Sequence, residues 1–204
     1  MVAKKEKNKS WLIITGSLIL LSGIGLIAYD FYSNKELDKI EDNALVEFYD
    51  TEVEDIEVII EEPEEKKEVK EQTKIEYIAV LKIPKINLER GLVNPSSYLN
   101  NVNYNVQIIN GSDMPDVNNG NLILAGHSGN ARISYFRNLN KLDLNDTATI
   151  IYKNKTYNYK VVDKYEIEKT GEAEIIRDKN KNILTLITCK HNTNKQIVII
   201  CELI

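Results

Sequence analysis

Two cysteines, two histidines, one tryptophan and four prolines are spread over 204 residues. Two cysteines cannot build the multi-bridge framework of a small secreted mini-protein. Basic residues are in the minority, 26 against 31 acids, for a formal net charge of −5. With a pI near 5.3, the chain lacks the clustered basic surface that neutralises phosphates in a nucleic-acid binder. A mean hydropathy of −0.32 excludes a multi-spanning membrane protein. No G-x-G-x-x-G, P-loop, zinc-type spacing or internal repeat occurs, so nucleotide and structural-zinc chemistry have no sequence support.

The charge that is present is segregated into three zones. Residues 1–40 hold six lysines against four carboxylates, residues 41–72 three lysines against fourteen, and residues 73–204 seventeen Lys and Arg against thirteen. These zones read as anchor, spacer and domain.

Lys4, Lys5, Lys7 and Lys9 in a basic tail (1–10) precede the uncharged run from Trp11 to Tyr29. Nineteen helical residues at about 1.5 Å each span roughly 28 Å, close to the hydrocarbon thickness of a bilayer. A lone span must satisfy its own backbone hydrogen bonds, so residues 11–29 are predicted to be a transmembrane helix in contact with lipid. Basic residues before it and Asp30 after it predict a cytoplasmic N-terminus and an exported C-terminal domain. The alternative, a cleaved signal peptide, has a shorter apolar core and an A-x-A-like site, and Ile27-Ala-Tyr-Asp30 offers none.

Residues 30–74 are expected to form an acidic spacer. The run from Glu61 to Glu71 repels itself and has too little apolar surface to offset ordering entropy. Leu45, Phe48 and Tyr49 leave a second possibility, a helix or an appendage docked on the domain behind.

From residue 75 the pattern is that of strands. Runs 77–84, 86–93, 106–109, 121–126, 147–152, 156–162 (continuing toward 167), 183–188 and 196–203 are apolar, alternating or β-branched. Lys153-Asn-Lys155 reads as a hairpin turn, and Pro95-Ser-Ser as the start of a short helix over 95–100. A helical turn is expected within 132–142. Seven or eight short strands with little helix define an all-β barrel or sandwich.

Two segments carry chemistry. Ala125-Gly-His127-Ser-Gly129 places an imidazole just past a buried strand, and Thr185-Leu-Ile-Thr-Cys189 places a thiol at the far end of another. A thiol beside an imidazole is the minimal arrangement for covalent acyl transfer. His191, in the turn after Cys189, is a second candidate base, and Asp113 and Asp116 are either turn formers or calcium ligands. Cys201 is expected to be a core residue, six residues along the ladder from Cys189 and too far for a disulfide.

Together with Leu81-Lys-Ile-Pro-Lys-Ile-Asn87 at the domain start, these motifs make residues 78–204 similar to the sortases. These are membrane-anchored cysteine transpeptidases of Gram-positive and related bacteria. The resemblance implies an eight-stranded β-barrel and chemistry without cofactor or metal. Cys189 would be the nucleophile that forms a thioester with an LPXTG-like sorting signal of exported proteins. His127 would be the acid/base that serves the leaving and incoming amines, and the acceptor a cell-wall or pilin amine. Two other outcomes stay open: a hydrolase that uses water as acceptor, and a non-catalytic peptide-binding module.

The sequence departs from the family at one point. Sortases carry an arginine on the strand after the cysteine, and here no arginine follows Cys189. If Asn192-Thr-Asn194 lie in the turn and paired positions sum to about 384, Cys189 faces Lys195, with Gln196 its neighbour should the register slip by one.

Overall fold

The computed structural model describes residues 10–54, 74–170, 173 and 175–204. The chain divides into two compact units, residues 1–40 and 41–204.

In the first unit the described residues are helical, the opening part of α1 (Ser10–Glu54). Trp11, Leu18, Ile19, Leu21, Ile24, Ile27 and Tyr29 are all exposed. The helix is apolar on every side, the pattern of a segment meant for lipid rather than for a protein core. It is long and apolar enough to cross a membrane, with a mean hydropathy of 1.7 in its most apolar window. It therefore fits a single-pass anchor with the domain beyond it.

The second unit begins inside the same helix. The expectation of a solvated stalk is not met over residues 41–54, because this end of α1 packs on the domain. Ala44 and Phe48 are buried in one cluster with Tyr77, Val80 and Val93, and Leu45 packs against it. Glu41, Ala44, Leu45 and Phe48 follow i, i+3, i+4, i+7 spacing, which gathers them on one helix face. The acidic run at 61–71 lies outside the described residues.

Eight strands follow: β1 (Tyr77–Ile83), β2 (Leu88–Val93), β3 (Gln107–Ile108), β4 (Asn121–Gly126), β5 (Thr147–Tyr152), β6 (Lys155–Glu168), β7 (Ile183–Cys189) and β8 (Lys195–Leu203). They form one sheet in the order β2-β1-β5-β6-β8-β7-β4-β3, rolled into a nearly closed barrel. Every neighbouring pair is antiparallel except β4 and β7, which run parallel. The expected all-β barrel is thus observed. Its interior is a single cluster built on Leu81, Leu92, Leu124, Phe136, Ile150, Tyr159, Leu186 and Ile199.

Local chemistry explains most strand limits. Lys153 and Asn154 both adopt positive φ, 50° and 57°, so β5 and β6 join through a tight two-residue turn of the twist that suits a hairpin. The expected helix at 95–100 is a chain of turns instead. The Asn94 side chain accepts hydrogen bonds from the Ser96 backbone N–H and hydroxyl, and Ser97 Oγ accepts from the Leu99 N–H. Such local side-chain bonds compete with helix. A 3-10 turn at Leu139–Lys141 is the helical content found within 132–142. Asp113 accepts from the Asn121 N–H and Asp116 pairs with Lys153, so both acids already hold protein partners.

Gly91 is required by packing, since a Cβ there would stand 2.2 Å from the Tyr77 ring. Gly91→Ala is therefore expected to destabilise the domain by about 1–3 kcal/mol, as overpacked cores do. Chemical denaturation would read the loss as a lowered midpoint.

Candidate active site

Parallel pairing of β4 and β7 brings two chemically distinctive chain ends together. Their last paired residues are Gly126 and Thr188. The next residues are His127 and Cys189, on strands whose axes lie about 4.8 Å apart.

Alternation sets the faces. Leu122, Leu124, Leu184 and Leu186 belong to the barrel interior, whereas Ile183 and Ile187 belong to a second cluster on the other face. Continuing the period of two places both His127 and Cys189 on that other face, beside Ile187. Val198, Ile200, Ile123 and Ile175 share the cluster, a second buried core in which Ile187 is 7% exposed and Val198 0%.

Several residues hold this junction. The Thr188 hydroxyl donates to the Gly126 carbonyl (2.7 Å), tying the two strand ends together from within. The Thr185 hydroxyl donates to Asn121 Oδ1 (2.8 Å), a second buried tie between the same strands. The Phe136 N–H donates to the His127 carbonyl (3.0 Å). A Cβ on Gly126 would stand 2.9 Å from the Phe136 ring, so glycine lets that ring close the barrel beneath the site. The His127 Nε2 lies 3.4 Å from Asn103 Oδ1. Sequence reasoning missed these supports. Thr188 stands inside the motif that was noticed, but nothing local signals that Phe136 and Asn103 reach it.

The two thiols differ in kind. Cys189 is partly exposed and Cys201 fully buried, both free. Burial pushes the Cys201 thiol up to about 12, which makes it an inert core group. Cys201 pairs with Leu184, while Cys189 pairs with Gln196. Five residues of strand separate the cysteines, roughly 17 Å, beyond disulfide reach.

That register corrects the pairing expected for Cys189. Position 196, not 195, stands opposite it, and Cys201 faces Leu184 instead of the Ile183 that a Cys189–Lys195 pairing implies. The reason is an even-numbered loop. Lys190 N–H donates to the Lys195 carbonyl (2.8 Å), leaving four residues, His191 to Asn194, in the turn. Asn192 takes positive φ within it. Cross-strand partners share a face, so the Gln196 side chain stands on the side of Cys189 and Lys195 on the opposite one. The Lys195 ammonium is 3.6 Å from Glu166, which also pairs with Lys190 at 2.5 Å. The hydrogen bond from Lys190 holds the Glu166 carboxyl below its usual range.

Cys189 opens onto a cleft of about 540 Å³ with Ser128, Phe136, Arg137, Glu166 and the exposed His191 along its walls. Among the described residues no group of three His, Cys, Asp or Glu is placed to hold a metal ion.

Comparison with known proteins gives the class. The family model described as Sortase domain matches residues 81–204. The chain belongs to the sortase family, a family of cysteine transpeptidases. No curated protein matches the sequence. Among solved structures, a lid mutant of sortase A from Corynebacterium diphtheriae superposes with a TM-score of 0.56 at 22% identity, over 62% of this chain and 69% of that one. Sortase C1 from Streptococcus agalactiae gives 0.54 at 24%, over 63% and 67%. A sortase D5 transpeptidase from Clostridium perfringens gives 0.57 at 20%, over 81% of this chain and 99% of that one. At these identities the likeness establishes a shared fold.

Proposed function

We propose that this sortase cleaves an LPXTG-like sorting signal of exported proteins and passes the acyl fragment to a cell-wall or pilin amine. The observation that carries the reading is the meeting of His127 and Cys189 at the adjoining ends of parallel β4 and β7. The thiolate of Cys189 attacks the scissile carbonyl carbon, the C–N bond breaks, and the His127 imidazolium gives its proton to the departing amine. The acyl fragment is then a thioester on Cys189. In the second half the incoming amine attacks that carbonyl, the C–S bond breaks, and His127 takes the amine proton.

Gln196 takes the place beside Cys189 where the family has arginine. Its amide N–H group donates to the oxyanion or substrate backbone without a charge, a weaker donor than a guanidinium. Gln196→Arg is expected to raise acyl-enzyme formation severalfold. Gln196→Ala lowers it by about 10–100-fold, toward the loss seen when an oxyanion donor is removed. Lys195→Ala, on the other face, changes it little. Stopped-flow cleavage of a quenched peptide separates the three, and a large loss in Lys195→Ala would return that role to Lys195.

The basic tail before the span places the N-terminus in the cytoplasm and the barrel outside the cell membrane, where exported substrates and wall amines are found. Intact-mass spectrometry of the enzyme with candidate sorting peptides tests the whole reading. An adduct on Cys189, released by an added amine as a joined product, supports transfer. An adduct released equally fast without amine replaces transfer by hydrolysis.

A further inference from the structure

The cleft onto which Cys189 opens has walls that carry Arg137, Lys141, Lys164 and Lys190 but a single carboxylate among the described residues, Glu166.

That carboxylate is already committed, to Lys190 and Lys195. The remaining cations are not neutralised by it. Arg137 donates to the Gly129 and Ala131 carbonyls, each at 3.0 Å. Lys164 donates to the Asn140 and Leu142 carbonyls. Carbonyl oxygens orient these groups and leave their full charge in place. Lys141 is exposed at the end of the 3-10 turn. Among the described residues, no carboxylate forms an ion pair with any of the three. A concave wall that carries Arg137 and Lys141 without a paired carboxylate, and Lys164 with only the more distant Asp146 to offset it, attracts anions. Its volume, about 540 Å³, suits a ligand of amino-acid to dipeptide size.

From this charge distribution we infer that the cleft is the acceptor subsite and selects an amine that carries a carboxylate. The inference rests on the proposed transfer reaction and narrows its second substrate. The carboxylate of the acceptor is held by Lys141 and Arg137, so its amine nitrogen is directed at the thioester on Cys189. The attack then proceeds as above, with formation of the C–N bond, loss of the C–S bond and the amine proton passing to His127. A neutral acceptor of equal size lacks the ionic hold and reacts more slowly.

The test compares glycylglycine with glycylglycinamide as acceptors for the full chain in detergent, acylated with a fluorescent LPXTG-like peptide. Product formation per unit acceptor is expected to favour the acid by about tenfold, equivalent to roughly 1.4 kcal/mol. Raising the salt from 50 to 500 mM is expected to shrink that ratio, because the charges lie at a solvent-open site. Lys141→Gln and Arg137→Gln bring the acid-to-amide ratio toward one. Reading the ratio within each variant removes any general loss of activity. Acylation followed by equal rates for acid and amide in the unmodified enzyme overturns this inference and leaves transpeptidation standing, as does a preference untouched by both substitutions. Failure to detect any acyl-enzyme overturns the proposed function and this inference with it.

Discussion

Cys189→Ala is expected to erase the acyl-enzyme and reduce peptide cleavage to the uncatalysed level. No other described thiol can take over. Cys201 is fully buried, five ladder positions from Gln196, and its thiol is pushed up to about 12. Cys201→Ala therefore keeps the adduct, which makes it a matched control for the loss of a cysteine. His127→Ala acts on proton transfer and not on the nucleophile. Its expected loss is about 10²–10⁴-fold, the usual contribution of a positioned acid or base. Exposed His191 provides no substitute of comparable position, since it lies in the four-residue turn and not at the β4 end. Mass spectrometry of the adduct and a cleavage time course give both answers. Adduct formation in Cys189→Ala would remove that residue from the mechanism.

The second large effect concerns stability. Arg90 lies on β2 with its guanidinium buried, forked onto Glu41 through Nη1–Oε2 at 2.6 Å and Nη2–Oε1 at 3.0 Å. Its Nε donates to Asn105 Oδ1, and its Cζ stands 4.0 Å from the Tyr135 ring centroid. Arg132 adds a second cation to Glu41 at 2.8 Å. Arg90→Met removes the cation but leaves the carboxylate and the Asn105 oxygen enclosed. Breaking a buried pair from one side costs about 3–5 kcal/mol. For a domain of this size that lowers Tm by about 10 °C. Glu41→Gln costs less, because an amide still accepts from Arg90 and Arg132. The double substitution costs less than the sum, by about 0.5–3 kcal/mol, as coupled neighbours do. Calorimetry of the two single variants and the double tests this, and strict additivity would mean that the pair is not coupled. Arg132 and Tyr135 belong to the connection that starts at His127 and runs on to Phe136 and Arg137 in the wall of the cleft at Cys189.

Some elements could be read directly from the chain. β4 and β5 have the expected limits, and β7 differs only by including Cys189, because apolar and β-branched runs bounded by glycine or turn residues favour one conformation by local means. The Lys153–Asn154 turn was legible for the same reason. β6 reaches from Lys155 to Glu168, as the expected continuation toward 167 has it: Tyr165 and Ile167 alternate with polar neighbours and pack on one cluster, and pairing with β8 supplies the order. α1 continues to Glu54 because Ala44 and Phe48 find an apolar partner in Val80 and Val93. Leu45, Phe48 and Tyr49 left a docked helix open there, and only the packing decided for it.

His127 and Cys189 stood out as candidates without coordinates, since a lone imidazole and a lone thiol at the ends of apolar strands have few structural uses. The identity of the residue beside the thiol did not. Four residues in the 191–194 turn put Gln196 opposite Cys189 and turn Lys195 to the other face.

Residue chemistry and local periodicity were enough to determine the apolar span and the β character of the domain, and to single out two candidate side chains. These depend on nearest neighbours along the chain. Tertiary structure alone decided that β4 and β7 lie parallel and end together, that Arg90 is enclosed by Glu41, and that one wall of the cleft is left positive. Each of these joins groups tens of residues apart, and burial and charge between such groups exist only once the barrel has closed.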